Sequence, residues 1–197
     1  MPDRLIFIRH GETTGDVEDR YGGSYDDALS AEGEAQVNLL AEALEDYDIE
    51  TVFTSPLTRA QQTAEGISSH FGCPVHLMDD LRERAQYGPL TGMTKTDAKA
   101  LHPDLVEAVK DRNNTLPGAE SYAEASARTQ AAVANIMAYD TPECAAVVWH
   151  GGGMRVLFRD ILSLGELHSI GDCCWVELIR EGGGWRVGDS SGLGFSF

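Results

Sequence analysis

The chain has 197 residues, of which 42% are hydrophobic and 24% are charged, so its composition is that of an ordinary folded protein with room for one sizeable core. Its 32 acidic residues outnumber 15 lysines and arginines, and the formal charge of −17 disfavours nucleic acid and anionic membranes as partners. No apolar run reaches the ~18 residues of a membrane helix, and no linker divides the sequence, so we expect one domain over residues 1–197.

The first half of the chain predicts three short strands that alternate with two longer helices. The strand segments are short apolar runs that contain β-branched and aromatic residues. Ser30 and Ser55 precede the helical segments as N-cap residues, and Pro56 suits the first position of a helix. We therefore expect strands at residues 5–8, 51–54 and 74–78, and helices at residues 31–44 and 56–70.

The second half begins with turns and then returns to the same alternation. Residues 81–96 and 113–118 are rich in turn-forming residues and predict loops, whereas Ser121 and Glu124 form a capping box that begins a long helix ending near Tyr139. Strands that alternate with helices predict an α/β fold with a mostly parallel sheet. The remaining expectations are helices at 96–101, 104–110 and 154–162, a strand at 145–149, and an antiparallel edge hairpin of 174–180 with 185–187.

Few of the basic residues are lysines, namely Lys95, Lys99 and Lys110. An acidic, lysine-poor surface with ordinary apolar content is typical of adaptation to a salty cytoplasm, because salt shortens the Debye length to ~3 Å at 1 M and relieves self-repulsion. A mesophilic protein that happens to be acidic would have the same composition. We expect salt adaptation, with the mesophilic protein as the alternative.

The cysteines indicate the cellular compartment, and their spacing disfavours metal binding and disulfide bonds. Cys73, Cys144, Cys173 and Cys174 contain no CxxC pair, which predicts neither a zinc site nor a disulfide framework. Free thiols and an N-terminus without a signal peptide favour a cytoplasmic protein. We expect no metal and no cofactor, and the sequence leaves the oligomeric state open between a monomer and a homodimer.

Three predicted strands lead into the same kind of polar turn before a helix. The first ends in Arg9, His10 and Gly11, the second leads to Arg59, and the last ends in His150. Because the carboxyl ends of parallel strands share one edge of a sheet, these side chains should converge there. Guanidinium groups match phosphate oxygens, and a histidine can be the nucleophile. The sequence therefore predicts a phosphate site in which arginine and histidine take the place of a metal.

Six segments carry recognisable motifs in a fixed order. Residues 9–13 read RHGET and residues 54–64 read TSPLTRAQQTA. The other segments are Arg20 with residues 25–30 and Gly33, residues 81–92, residues 117–121, and residues 150–155. Together they resemble the histidine phosphatase superfamily in its phosphoglycerate mutase-like branch. The resemblance implies a three-layer αβα sandwich with an antiparallel edge strand.

The resemblance also implies a role for each matching residue. His10 would attack the phosphorus and become phosphohistidine, while Arg9, Arg59 and His150 would bind the equatorial oxygens. Glu83 would protonate the leaving oxygen and then activate the water that releases phosphate. The further substrate contacts that it implies are Gly22, Gly23, Tyr87 and the amide of Gly151.

Two features of the sequence depart from the family's pattern. Gly15 and Asp16 stand where many relatives have Trp and Asn, and an aspartate there would repel phosphate unless it is protonated or turned away. Tyr87 lies one residue further from Glu83 than in the mutase branch. Nearby alternatives to Glu83 as the acid are Glu12, Glu120 and Asp16.

We expect a phosphomonoesterase that hydrolyses a small phosphorylated metabolite, and two alternatives remain. A mutase would need a long basic insertion, whereas 66 residues with few basic side chains separate Glu83 from His150. A phospho-ligand-binding sensor is the non-enzyme alternative, against which the intact His10, Glu83 and His150 argue. Basic residues that are either solvated charges or a rim for the rest of the substrate are Arg82, Arg84 and Arg112.

Overall fold

A six-stranded sheet forms the centre of the computed structural model, which describes residues 2–139 and 143–195. The domain expected over residues 1–197 thus includes positions outside the described ones. The strands are β1 (Arg4–Arg9), β2 (Thr51–Thr54), β3 (Val75–Leu77), β4 (Cys144–Trp149), β5 (Ser169–Glu181) and β6 (Gly184–Gly194). Their order is β3-β2-β4-β1-β5-β6, in which the first four are parallel and β5 and β6 are antiparallel to their neighbours.

Helices cover both faces of this sheet. They are α1 (Thr14–Val17), α2 (Ala31–Ala43), α3 (Thr58–Phe71), α4 (Lys95–Leu101), α5 (Pro103–Ala108), α6 (Tyr122–Ala138) and α7 (Gly151–Val156). Apolar residues of α2 and α3 pack on one face, and those of α6 and α7 pack on the other. The expected three-layer αβα sandwich is therefore confirmed.

The unbroken apolar run in β1 reflects burial on both faces. Leu5 and Phe7 join the core under α6 and α7, whereas Ile6 and Ile8 join the core under α2 and α3. All four side chains are fully buried, and each contributes about 1.5–3 kcal/mol relative to an exposed position. Arg9 is the first polar residue after this run, so the chain leaves the core where the polar turn begins.

The C-terminal hairpin is longer than expected. It adds the predicted antiparallel edge to the parallel strands, with β5 paired to β1 and β6 as the outer strand, but both strands extend beyond the predicted 174–180 and 185–187. Residues 174–178 are all buried, which an edge strand would not need. Irregular register between β5 and β6, at Ile170/Trp175 and Val176/Leu178, disrupts the alternation by which the full strand length could be recognised.

Helix α3 begins two residues later than expected. Ser55 and Pro56 were predicted to open it, but the first helical residue is Thr58. The carboxylate of Asp26 accepts hydrogen bonds from the Thr58 amide at 2.7 Å and from the Thr58 hydroxyl at 3.1 Å, and so caps the helix from another loop. The Ser55 hydroxyl oxygen accepts a hydrogen bond from the Leu57 amide at 3.2 Å and lies 2.8 Å from His150 Nε2.

Helix α7 differs from the expectation, whereas α6 agrees with it. The capping box of Ser121 and Glu124 begins α6 as predicted. In contrast, α7 starts at Gly151, three residues before the expected helix at 154–162, and a π-helical segment at Leu157–Ile161 follows it. The early start places backbone amides directly after His150, beside the strand ends.

Among the described residues, none of the helices is long and apolar enough to cross a bilayer.

The segment between β3 and α6 forms a small cap beside the strand ends. Leu90, Ala98 and Leu116 make a separate apolar cluster against which Tyr21 and Tyr87 pack. The loop predicted at 81–96 contains a 3₁₀ turn at Gly88–Leu90 and ends at α4, which begins at Lys95. This cluster fixes the position of Tyr87 near the carboxyl edge of the sheet.

The four cysteines are free thiols, as expected from their spacing. Cys73, Cys144 and Cys174 are buried, and Cys173 is half-buried. Burial raises the pKa of the Cys144 and Cys173 thiols to about 12, so both stay protonated at neutral pH.

Candidate active site

Two neighbouring parallel strands bring His10 and His150 together. β1 and β4 pair in a register that places Arg9 opposite Trp149, so the residues that follow these two also adjoin. The His10 amide donates a hydrogen bond to the Trp149 carbonyl at 3.1 Å, and the imidazole centroids of His10 and His150 lie 5.1 Å apart. Both side chains are buried. The expected convergence of these two histidines at the sheet edge is therefore present.

Hydrogen bonding defines the tautomer of His10. Its Nδ1 atom lies 2.8 Å from the Gly11 carbonyl oxygen, which can accept a hydrogen bond but not donate one. Nδ1 therefore carries the proton. The other nitrogen, Nε2, lies 3.2 Å from the Nε–H group of Arg59, which can only donate. Both contacts agree that Nε2 holds a lone pair, as a nucleophile requires.

Burial and positive neighbours keep both imidazoles uncharged. Burial lowers the pKa of His10 well below its usual value, and the nearby Arg59 and Arg9 lower it further. The pKa of His150 is lowered well below its usual value for the same leading cause, with Arg59 next. In the unfolded chain both would be protonated below pH ~6.5. The unfolded state then binds more protons than the folded state, so these histidines lower stability as the pH falls through that value.

Arg59 is buried and tightly held at the N-terminal end of α3. Its Nη1 atom donates to Asp27 Oδ1 at 2.8 Å and to the Tyr25 carbonyl at 2.7 Å, and its Nη2 atom donates to the Gly23 carbonyl at 2.9 Å. Gly23 has a φ of +58°, and a Cβ atom there would lie 2.9 Å from the ring of Tyr87. The loop at residues 23–27 is thus shaped around this guanidinium.

Asp27 is a site residue that the sequence analysis missed. Its carboxylate is buried, and its second oxygen accepts a hydrogen bond from the Gly15 amide at 3.1 Å. In the sequence it is one of two adjacent aspartates with nothing to distinguish them. The structure separates their roles, because Asp26 caps α3 whereas Asp27 pairs with Arg59.

Asp16, whose charge raised the question of phosphate repulsion, is turned toward its own helix. Its Oδ2 atom accepts hydrogen bonds from the Thr13 amide at 3.1 Å and from the Thr13 hydroxyl at 2.9 Å. These bonds complete a capping box at the start of α1. The carboxylate therefore serves the local backbone, although Asp16 still lines the cavity described below.

Arg9 is held by β5, whose contribution to the site the sequence analysis did not predict. Its Nη1 atom pairs with Asp172 Oδ1 at 2.8 Å and donates to the Ile170 carbonyl at 3.2 Å. The Arg9 side chain is 20% exposed and lines the same cavity as His10. The antiparallel pairing of β5 with β1 is what brings Asp172 to this position.

Glu83 lies against the turn that follows His150. Its Oε2 atom accepts a hydrogen bond from the Gly152 amide at 2.9 Å, and its Oε1 atom accepts one from the Arg84 amide at 2.7 Å. A Cβ atom on Gly152 would lie 2.2 Å from Oε1 of Glu83. Glycine is therefore needed at position 152 for the carboxylate to approach this closely.

The alternatives to Glu83 as the acid are engaged in other contacts. Glu12 accepts a hydrogen bond from the Ser30 hydroxyl at 2.6 Å, beside the start of α2. Glu120 forms an ion pair with Arg128 at 2.8 Å. Asp16 belongs to the capping box of α1. Of these carboxylates, Glu83 is the one that joins the cap to the second-histidine turn.

A cavity of about 800 Å³ opens over the strand ends. It is lined by eight of the nine residues named from the sequence: Arg9, His10, Gly22, Gly23, Arg59, Glu83, Tyr87 and Gly151. The ninth, His150, is fully buried beside His10, and its Nε2 atom lies 2.8 Å from the Ser55 hydroxyl. Within the described part of the chain, its Nδ1 atom is buried without a hydrogen-bond partner.

Positive charge is concentrated in this cavity although the protein is strongly acidic. Its lining includes eleven of the 15 lysines and arginines: Arg9, Arg20, Arg59, Arg82, Arg84, Lys95, Lys110, Arg112, Arg128, Arg155 and Arg159. Four of the 32 acidic residues line it as well: Asp16, Asp27, Glu83 and Asp111. The cavity is therefore suited to an anion. Among the described residues, no group of three or more His, Cys, Asp or Glu side chains could hold a metal ion.

The three arginines that we considered as a rim all line this cavity. Arg84 and Arg112 each place a guanidinium 5.6 Å from the centroid of the Tyr122 ring, where cation–π attraction holds them. Arg82 pairs with Asp79 at 2.7 Å. All three face the cavity rather than bulk solvent alone.

Paired histidines and arginines at the ends of parallel strands define an enzyme of the phosphoryl-transfer class. The chain belongs to the histidine phosphatase superfamily (branch 1), whose family model matches residues 5–190. The expected family and fold are confirmed, and the protein is a histidine phosphatase.

Known relatives agree with this assignment. The Bacillus subtilis (strain 168) protein named Uncharacterized phosphatase PhoE is 30% identical, over 80% of this chain and 76% of that protein. The Enterobacter sp. (strain 638) protein named Probable phosphoglycerate mutase GpmB is 32% identical, over 82% of this chain and 75% of that protein. The structure of a mycobacterial glucosyl-3-phosphoglycerate phosphatase superimposes with a TM-score of 0.80 at 28% identity, covering 94% of this chain and 97% of that one. The alpha-ribazole phosphatase from Shigella flexneri does so with a TM-score of 0.81 at 25% identity, covering 93% and 94%.

Proposed function

We propose that the protein hydrolyses a small phosphorylated metabolite and that His10 is its nucleophile. The observation that carries this proposal is the uncharged His10 ring, which lines a cavity rich in cations and whose Nε2 lone pair accepts a hydrogen bond from Arg59. Nε2 forms a bond to phosphorus as the bond from phosphorus to the leaving oxygen breaks. Arg9 and Arg59 balance the charge on the phosphoryl oxygens, as a metal does in other phosphoryl-transfer enzymes. Water then breaks the phosphorus–nitrogen bond and releases phosphate.

Glu83 moves the protons in both steps of this proposal. Its carboxyl group gives a proton to the leaving oxygen and then takes one from the attacking water. His150 binds a phosphoryl oxygen through Nδ1, which has no other partner among the described residues. Nε2 of His150 lies 2.8 Å from the Ser55 hydroxyl, and in this proposal the hydroxyl donates to Nε2 so that the proton of the uncharged ring lies on Nδ1. Further substrate contacts in this proposal are Gly22, Gly23, Tyr87 and Gly151.

The relatives suggest the range of substrates. Two of the structurally similar proteins are named for phosphatase activity on glucosyl-3-phosphoglycerate and alpha-ribazole phosphate, so we propose phosphorylated sugars or sugar acids as the substrate class. The mutase named among the relatives is the second candidate. We favour hydrolysis because the cap between Glu83 and His150 is short and leaves a large open cavity for water.

Replacing His10 tests the nucleophile. We expect His10→Ala to lose at least ~10³-fold in turnover, since no other group at the site replaces the nucleophile. Wild-type enzyme quenched during turnover of labelled phosphoester should retain acid-labile, base-stable label, and the variant should retain none. The reaction is run in EDTA, because we expect no metal to be needed.

A variant that still traps the label, or that turns over at a near-normal rate, would show that His10 is not the nucleophile. Loss of wild-type activity in EDTA with recovery on one divalent ion would reject the metal-free mechanism. Conversion of 3-phosphoglycerate to its isomer without phosphate release would favour the mutase.

Two substitutions test Glu83 as the acid. Glu83→Gln removes the proton donor, and Gly152→Ala introduces a Cβ atom into the space that Glu83 occupies. We expect both to slow esters with poor leaving groups much more than p-nitrophenyl phosphate, whose leaving group hardly needs a proton. Glu12→Gln is the matched control and should show no such difference. Equal slowing of both esters by Glu83→Gln would assign the proton to another group.

We also propose that the protein works as one domain in a salty, reducing cytoplasm. The free thiols support the reducing compartment. The formal charge of −17 supports a salty environment. Most of the lysines and arginines that could offset the acidic side chains elsewhere lie around the cavity instead. Dilute buffer extends the Debye length to ~30 Å, so repulsion then acts across the whole molecule.

Melting curves in KCl test the salt adaptation. We expect the melting temperature to rise between about 0.01 and 3 M KCl, because screening relieves the repulsion among acidic side chains. The same screening should raise the KM for phosphoesters, since it weakens their attraction to the cavity. A melting temperature that is flat or falls with salt would favour the mesophilic alternative.

A further inference from the structure

We propose that Asp27 is a positioning residue for the phosphatase reaction and that Gly15 reserves the space for its carboxylate. The inference rests on the proposed function, because it concerns how Arg59 meets the phosphoryl group. Asp27 touches Arg59 and the backbone of α1, and it acts on the reaction through Arg59.

The contacts of Arg59 turn one edge of the guanidinium toward His10. Both hydrogens of Nη1 are used, by Asp27 Oδ1 and the Tyr25 carbonyl, and one hydrogen of Nη2 is used by the Gly23 carbonyl. On the edge beside His10, the Nε–H group donates to His10 Nε2 at 3.2 Å, a contact that a phosphoryl oxygen would take over, and the second Nη2 hydrogen lies on the same edge. This edge has the parallel donor geometry that binds two oxygens of a phosphoryl group.

The carboxylate of Asp27 supplies Arg59 with a negatively charged partner, which the two carbonyl groups cannot do. It is the acidic group that forms an ion pair with Arg59, at 2.8 Å, and both side chains are at most 5% exposed. A buried guanidinium without this partner would keep its charge but lose the contact that fixes its rotation. Asp27 therefore determines whether the Nε edge or another edge of Arg59 faces His10.

Glycine is required at position 15 because a side chain would have no room there, and not because of the backbone conformation. A Cβ atom at this position would lie 2.3 Å from Asp27 Oδ2, and the Gly15 amide donates to that same oxygen at 3.1 Å. The residue lies within α1 at a negative φ, so an alanine backbone suits the position. A side chain there would displace the Asp27 carboxylate and, through it, Arg59.

Because Asp27 and Gly15 are in contact, the proposal predicts coupled effects of their substitution, which a merely structural role would not produce. We expect Asp27→Ala and Gly15→Ala each to lower kcat/KM for p-nitrophenyl phosphate by about tenfold or more, which is within the range of coupled neighbours. Both should weaken binding of orthovanadate, which mimics the transferring phosphoryl group. In the Asp27→Ala background the methyl group of Gly15→Ala has room, so we expect the double variant to be no worse than Asp27→Ala alone.

Two further variants control for charge and for folding. Asp26→Asn removes the neighbouring negative charge but keeps an acceptor for the Thr58 amide, and we expect it to leave both readouts near wild type. Asp27→Asn keeps an acceptor for Arg59, so we expect it to fold and to retain more activity than Asp27→Ala. This variant tests the proposal even where Asp27→Ala is too unstable to purify.

The outcomes separate this proposal from the proposed function. Wild-type protein that neither hydrolyses phosphoesters nor binds orthovanadate would contradict the function itself. An active wild type with Asp27→Ala and Gly15→Ala variants that melt lower but keep wild-type kcat/KM and orthovanadate affinity would overturn the positioning role. Additive losses in the double variant would likewise overturn it, because Gly15 would then act independently of Asp27.

Discussion

Two imidazole rings buried beside two guanidinium groups must stay uncharged, and the geometry of the site follows from this constraint. Burial of His10 and His150 opposes their protonation, and the neighbouring positive charge of Arg59 and Arg9 opposes it further. The arginines in turn need partners, which Asp27 and Asp172 provide. The proposed nucleophile thus keeps an unprotonated Nε2 next to cations that are fixed before substrate binds, so the proposed reaction needs little reorganisation.

Charge is also distributed unevenly over the whole protein. An acidic protein would repel a phosphoester from most of its surface, but eleven of its 15 cations lie around one cavity. Several of them are held by local partners, as Arg128 is by Glu120 and Arg84 is by the ring of Tyr122. The cavity therefore keeps its positive character while the remaining surface stays acidic.

Much of this arrangement could be predicted from the sequence, because its information is local. β1, β2 and β4 are short apolar runs, and each leads into a turn whose polar residues are recognisable in order. What the sequence did not reveal depends on contacts between distant segments. The role of Asp27 is recognised from its contact with the guanidinium of Arg59, 32 positions away, and that of Ser55 from its contact with His150. The full length of β5 was missed because its irregular pairing with β6 disrupts the alternation that marks a strand.

The most direct test of this account is the protonation state of His10 in the folded protein. Nitrogen-15 NMR of the labelled protein at pH 6, with His10→Ala used to assign the signal, reports both ring nitrogens. Since an ordinary histidine has a pKa of about 6.5, an exposed ring would be mostly protonated under these conditions. We expect an uncharged ring with its proton on Nδ1 and an unprotonated Nε2. A protonated ring, or a neutral ring with its proton on Nε2, would contradict the account.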